Sequence, residues 1–352
     1  MTRPERVAIL GAGPVGCALA LALHRHGRPV VLCGAPGAGA GFRPLALSHA
    51  SRLILERLGA WQALAATPIG TIHVSQAGAF GRARLDCADA GVPALGYVVE
   101  YAALGGALAA RVAERGIERA REPGEAALLA HAEGASSDTT GRDYDQEAVL
   151  ALLETDPPAQ RTAYERFTPE GPLALLPLAG RYALVWAVPP ARAQELVAAT
   201  PGGFLGSLGS AFGARAGEFT SVSERSRVPL ALRVRGSRIG AREAYVGNAA
   251  QALHPVAGQG LNLGLRDAWE LAALLREAPD PGDPGVLARY AASRRLDAGA
   301  TVRLTDALAR GFLGADPLLA GARGAALTLL DACAPLRRFF ARRMIFGAAA
   351  MP

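Results

Sequence analysis

The 352-residue chain contains no lysine: its 37 basic residues are all arginine, against 31 acidic ones, for a net charge of +6. The arginines are dispersed, and aromatic residues make up only 6% of the chain. A nucleic-acid binder needs a basic stripe and stacking platforms, so that class is set aside and the bias is read as coding composition. A basic surface beside anionic lipid stays open. Cys17, Cys33, Cys87 and Cys333 are scattered and form no metal-type pair, which points to reduced, packed thiols in a cytoplasmic chain. No apolar run reaches the length of a membrane span. The polar start, followed at once by a strand-like run, does not read as a secretory signal.

What is present is apolar content of 51%, enough for a sizeable core in one large or two interleaved domains. Residues 6–10 read as a buried strand, 15–24 as a helix and 29–32 as a second, parallel strand. The pattern predicts a helix over 46–58 after a loop at 37–44, a hairpin from 69–76 and 82–86, and a helix over 101–114. Strands at 148–153, 161–168, 172–178 and 182–188 suggest an antiparallel sheet inserted between the halves of an α/β domain. Helices are expected at 192–199 and 203–212, and from 261 to the end with breaks near 279–284, 317 and 335. Residues 133–143 look the most loop-like.

Two glycine turns stand out. Gly11, Gly13 and Gly16 follow the first strand and open the first helix. Gly11 permits the tight turn, Gly13 the approach of a pyrophosphate, and Gly16 helix-on-strand packing. A bland alternative is a glycine-rich turn with no ligand. The acid that should end the second strand and hold a ribose is missing, because that strand runs into Cys33, Gly34 and Ala35. The second turn follows a strand at 243–247 and carries Gly247, Asn248, His254, Pro255, Gly258, Gly260, Leu261 and Asn262 into a long helical pattern. Such a loop lets backbone N–H groups approach a bulky ligand. Two cradles near opposite ends of the chain suggest one extended cofactor gripped by both.

Six pieces carry a resemblance: Gly11–Gly16, Arg43–Leu47, Leu58–Trp61, Val98–Glu100, Tyr164–Thr168 with Gly171–Pro177, and Gly247–Asp267. In that order the chain resembles the FAD-dependent aromatic hydroxylases, in their ubiquinone-biosynthesis branch. The resemblance implies an α/β fold: a Rossmann-like FAD-binding domain with an inserted, mainly antiparallel sheet domain and C-terminal helices. The implied division is 1–68, 97–145 and 240–352 for FAD with the C-terminal helices, and 69–96 and 146–239 for the substrate-side sheet. It also implies that Gly11, Gly13 and Gly16 face the pyrophosphate, and that Arg43 and Glu100 face the nucleotide and ribityl side. Gly247 and Asn248 would meet the ribityl and phosphate region. Pro255 and the turn Gly258, Gly260, Leu261 and Asn262 would lie beside the flavin ring. NAD(P)H would reduce FAD, and O₂ would supply an oxygen atom to the ring of a prenylated phenol. No metal is implied.

Other residues carry two readings. His254 bonds the substrate hydroxyl or stabilises its turn. His49, His73 and His131 show no ligand spacing. Trp186 and Tyr164 line a substrate cavity or belong to plain core. Arg266 and Asp267 read as a helix-surface pair. The tail, 335–346, alternates basic and apolar pairs, which suits either a helix docked on the core or a peripheral contact with a membrane. Against the family's pattern, Glu133 with Gly134 replaces an aspartate–glycine pair, followed by a loosely fitting stretch at 135–140. Residues 117–132 are too short for the small multi-stranded excursion of related enzymes. That shortening raises a rival: a flavin-poor scaffold in a ubiquinone-biosynthesis complex. A nicotinamide dehydrogenase would leave the second turn unused.

Overall fold

The computed structural model describes residues 5–36, 41–134, 138–311 and 317–347. The expected loop at 37–40 and the stretch at 135–137 lie outside the described residues. The chain begins with β1 (Val7–Ala12), α1 (Pro14–Arg25) and β2 (Val30–Pro36), each within four residues of its expected ends. Proline at the first helical position suits α1, since its missing N–H would be unpaired there in any case. The helix expected over 46–58 divides: β3 (Pro44–Ser48) pairs with a later strand, and only α2 (His49–Arg57) is helical. Leu45, Ala46 and Leu47 fit either period, and pairing decides. Ser48 caps α2, its hydroxyl accepting from the Ser51 N–H.

Next come β4 (Thr67–Ile69), the hairpin β5 (Thr71–Gln76) and β6 (Arg82–Asp86), α3 (Cys87–Ala90), β7 (Gly96–Glu100) and α4 (Tyr101–Glu114). β8 (Glu118–Ala120) and β9 (Leu128–His131) follow with no strand between them. The multi-stranded excursion is therefore replaced by a direct link, yet both strands still join the parallel sheet. Then come β10 (Thr139–Asp156), β11 (Thr162–Thr168), β12 (Gly171–Leu178), β13 (Arg181–Val188), α5 (Pro190–Ala198), α6 (Pro201–Phe212), β14 (Glu218–Val222) and β15 (Ser226–Arg235). The loop-like reading of 133–143 fails from Thr139 on, since Thr139–Asp143 pair with β15. The chain closes with β16 (Ile239–Gly240), β17 (Glu243–Tyr245), β18 (Gln251–Ala252), α7 (Gln259–Leu275), α8 (Pro284–Gly311), α9 (Pro317–Ala332) and α10 (Ala334–Phe346).

Three sheets result. The first runs β16-β17-β9-β1-β2-β8, with β17, β9, β1, β2 and β8 parallel. Its core joins α1, α4, α7 and α8 through residues such as Leu19, Leu23, Leu108, Leu271 and Tyr290. The second runs β18-β15-β10-β13-β12-β11-β5-β6, with β14 on β10. α5 and α6 cover one face of it over Val149, Leu173, Leu175, Leu184 and Trp186. Trp186, fully buried here, is plain core, and Tyr164 packs at the edge of the same cluster. A small third sheet, β3-β7-β4, lies between the larger two in sequence and pairs Pro44 with Glu100.

α10 docks on the protein: Ala341 and Ile345 are buried with Leu85, Ala90 and Leu95. One side of the tail helix is thus docked, while Phe339 on it stays exposed. None of the helices among the described residues is long and apolar enough to cross a membrane. The four cysteines are free thiols.

Gly16 tests the helix-on-strand contact. A Cβ there would lie 1.9 Å from the Gly11 carbonyl oxygen, which no rotamer can relieve. Gly16→Val should lower unfolding free energy by about 3 kcal/mol or more, since overpacking against backbone cannot relax cheaply. Urea denaturation reads this directly; an unchanged midpoint would mean that α1 does not sit on β1 as described.

Candidate FAD site

The two glycine turns meet. Val15, in the first turn of α1, packs against both Gly247 and Gly264: a Cβ at Gly247 would sit 3.1 Å from the Val15 side chain, and one at Gly264 only 2.8 Å away. Gly247 is held at φ +59, a left-handed conformation that costs glycine little. Gly11, at φ +103, passes so close to Ala132 and Glu133 that a Cβ would approach their backbone to 2.6 Å. The N-terminal turn thus touches the end of β9 on one side and the Gly247 turn on the other.

Arg43 and Glu100 join from the small sheet. The Arg43 carbonyl accepts from the Tyr101 N–H, and its guanidinium lies 5.0 Å from the Tyr101 ring centroid. The Tyr101 hydroxyl is the nearest heavy atom to a Cβ built on Gly13, at 3.7 Å. Gly13 therefore faces open space, and Gly260, with nothing within 4 Å, does too. Glu100 is exposed at the start of α4.

Three helix starts converge here: α1 after Gly13, α4 after Glu100 and α7 after Gly258. None has a side-chain cap, and none carries an acid in its first turn. A helix start leaves N–H groups without intrahelical partners and carries partial positive charge. Together they form a concentrated donor set for an anionic ligand.

Asn262 is buried, with every polar atom used. Its Oδ1 accepts from the Ser48 N–H (2.8 Å) and the Ser51 hydroxyl (2.7 Å); its Nδ2 donates to the carbonyls of Ala46 (2.8 Å) and Gly258 (2.7 Å). It ties β3 and α2 to the start of α7. Gly258, at φ +59, packs against Ala46, and Leu261 leans on the main core. Asn248 is exposed in the Gly247 turn.

Arg266 and Asp267 are not a surface pair. Both are buried, in a network that local helix periodicity could not reveal. Asp267 accepts from Arg294 (2.7 Å), Gln251 (2.8 Å), Arg238 (3.3 Å) and the Gly247 N–H (3.2 Å). Burial opposes its charge, but Arg294 and Arg238 outweigh that and hold the carboxyl below the usual range. Arg294 and Arg266 also donate to Asp297, at 2.7 and 2.8 Å. Asp267 thus orients the Gly247 amide from behind.

Glu133 is half exposed, and its carboxylate lies 2.8 Å from His131 Nδ1. Burial works to raise its carboxyl; the His131 bond and the nearby backbone N–H groups overcome this and hold it low. His131, set aside in the sequence as structural, stacks on Tyr245 at 4.5 Å between centroids, and Arg235 covers the other ring. Tyr101, His131 and Asp267 are the neighbours that sequence reasoning missed, because each acts through residues distant in the chain.

His254 is buried just before Pro255. Its Nδ1 accepts from the Val256 N–H at 3.1 Å, so the neutral ring carries its proton on Nε2, which has no partner in the protein. Pro255 closes the turn, its carbonyl accepting from the Gly258 N–H. The open backbone at Gly13 and Gly260, the uncapped helix starts and this orphaned donor all fit a large ligand lying along the turns. Among the described residues no cluster could hold a metal ion.

A family model described as FAD binding domain matches residues 124–305. The chain is 32% identical to ubiquinone hydroxylase UbiL of Rhodospirillum rubrum, covering 96% of this chain and 88% of the relative. It is 30% identical to 3-demethoxyubiquinol 3-hydroxylase of Escherichia coli, over 84% of this chain and 86% of that one. Its fold is similar to that of p-nitrophenol 4-monooxygenase PnpA from Pseudomonas putida DLL-E4, with a TM-score of 0.79, 18% identity and coverage of 99% and 100%. The class these comparisons define is the FAD-dependent monooxygenases. Within that class the chain belongs to the aromatic hydroxylases of the ubiquinone-biosynthesis branch.

Burial holds the His254 pKa down, at about 4 against an ordinary 6.5. A group whose folded pKa is depressed contributes stability that is present above the unfolded pKa and fades as pH falls toward the folded one. Between pH 7 and 5 the protein should lose about 2 kcal/mol on this account, and His254→Gln should lose correspondingly less. Parallel urea titrations at the two pH values decide it; equal pH sensitivity in both proteins would refute the assignment.

Proposed function

We propose that the protein hydroxylates the aromatic ring of a prenylated phenol, with FAD as its cofactor, NAD(P)H as reductant and O₂ as oxygen donor. One observation carries the reading: the two glycine turns meet across Val15, beside uncapped helix starts whose backbone is open at Gly13 and Gly260. Bound FAD would accept hydride and activate O₂. Gly11, Gly13 and the first turn of α1 would hold the pyrophosphate, with Gly16 seating that helix on its strand. Arg43 and Glu100 would face the nucleotide and ribityl side, Glu133 the same side from β9, and Gly247 with Asn248 the ribityl and phosphate region. Pro255, Gly258, Gly260 and Leu261 would border the flavin ring. Asn262 acts there through its backbone, because its side chain is consumed. The Nε2 proton of His254 is available to a ligand oxygen, and the buried turn keeps water away from it.

The scaffold rival rested on the shortened segment 117–132. With β8 and β9 joined directly, the parallel sheet is complete and the cradle stays open, so that rival has no support.

For cofactor binding, Gly13→Asp should fold normally, because nothing lies within 3.7 Å of the added Cβ. It should nonetheless lose bound flavin, since a carboxylate would confront a diphosphate at close range. The visible flavin bands after reconstitution with FAD report this, and full retention would place the cofactor elsewhere.

Membrane contact is the finer reading of the partner surface. Phe80, Leu318, Leu319, Leu329 and Phe339 are all more than half exposed, on the β5–β6 turn, α9 and α10. With Arg323, Arg338 and Arg342 on the same two helices, they suit an anionic bilayer surface. Leu329→Ser with Phe339→Ser should at least halve the fraction floating with phosphatidylglycerol vesicles while the fold is kept. Undiminished flotation would remove this face from consideration.

A further inference from the structure

The two faces of the nine-stranded sheet differ in a way that the cofactor does not explain. On the face under α5 and α6, Val149, Leu173, Leu175, Leu184 and Trp186 are wholly buried. On the other face, Val74, Ala174, Leu176, Val185 and Leu152 keep accessible surface, although they lie in mid-sheet. Strand register places Glu165 on this second face: it sits opposite Val74 on β5 and Ala174 on β12, and Ala174 sits opposite Val185. Paired residues share a face, and so do residues two apart along a strand.

Glu165 is bracketed by the two points at which β11 touches the cofactor portion. Phe167 packs with Val256, next to Pro255, and with Tyr144. Ala163 packs with Val98 and Phe42, the neighbour of Arg43. Glu165 lies on the same face as these two contacts, between them, and keeps accessible surface of its own. Its neighbours in the row are apolar. No nearby charge relieves the burial, which pushes the carboxyl up to about 7. An ionisable group without a partner in an apolar wall is costly for stability alone.

We propose that Glu165 is the polar anchor for the phenolic hydroxyl of the substrate, and that it selects phenols whose ring bears no carboxylate. The inference rests on the hydroxylase reading above and deepens it. A neutral phenol offers one hydroxyl to bond the carboxyl and an apolar body to cover Val74, Ala174 and Val185. A ring carboxylate would bring a second negative charge into the same unrelieved wall. The reaction supplying the substrate must then already have removed, or never introduced, a ring carboxyl group.

Calorimetric titration at about pH 8.5, where the Glu165 carboxyl is ionised, of the FAD-reconstituted protein with 2-prenylphenol and with 3-prenyl-4-hydroxybenzoate tests this. The wild type should bind the phenol at least tenfold tighter than the benzoate. Glu165→Leu should weaken phenol binding about tenfold, the scale of one hydrogen bond to a charged group. Glu165→Gln should keep phenol binding within about threefold while gaining about tenfold for the benzoate, because an amide bonds a hydroxyl without repelling an anion. Flavin content should be the same in all three proteins. Phenol binding equal in wild type and Glu165→Leu overturns the anchor and leaves the hydroxylase reading intact. A wild type that retains FAD but binds neither probe overturns both, and one that retains no FAD overturns the reading at its cofactor.

Discussion

The cofactor side of the molecule depends on close approach of backbone to backbone. Val15 wedges against Gly247 and Gly264 at once, and Gly16 lies on Gly11 with no room for a methyl group. These contacts bring α1, α7 and the end of β17 to one line, and no larger residue could keep them there. The open strip along Gly13 and Gly260 exists because its supports are packed too tightly to close over it. Crowding behind the cradle and openness in front of it are two sides of one constraint.

Among the described residues, the buried charges gather in the same region. Taking Asp267, Asp297, Arg266 and Arg294 out of water costs several kcal/mol per ion, returned only through good geometry and full hydrogen bonding. Here the return includes position. Asp267 holds the Gly247 amide, Arg294 bridges the two acids from α8, and Gly347, past the end of α10, lies against Asp297 so closely that a Cβ would sit 2.4 Å from its Oδ1. The last helices of the chain are thus keyed to the second glycine turn. An apolar cluster of equal volume could pack as well, but it could not aim an N–H group.

Much of this was legible in the sequence where the signal is local. Strands of period two in 69–86 and 161–188, the glycines after β1, and α4 at Tyr101–Glu114 follow from periodicity and turn chemistry within a dozen residues. What was not legible depends on distant partners. Arg266 and Asp267 look like any charged pair on a helix until Arg238 and Arg294 are brought to them. Leu45 to Leu47 suit a strand as well as a helix, and only the pairing with β7 chooses. His131 gains meaning from Glu133 and Tyr245, Glu165 from the bare face around it. The shortened link at 117–132 was visible as a length, but not that the sheet would close without the missing strands.

Asn262 shows where recognition of the cofactor lies. A residue with two donors and two acceptor lone pairs in the flavin turn invites a role as ligand. All four are spent on Ser48, Ser51, Ala46 and Gly258. What the turns still offer a ligand, beside the side chains of Arg43, Glu100, Glu133 and His254, are main-chain N–H donors at the starts of α1, α4 and α7, whose direction is set by helix axes rather than by rotamers. A site built this way reads charge and length more than functional groups, which suits a long dianionic nucleotide. With Glu165 as the proposed substrate anchor, two tasks would be separate: backbone would hold the cofactor, and side chains on the sheet would choose what is oxidised beside it.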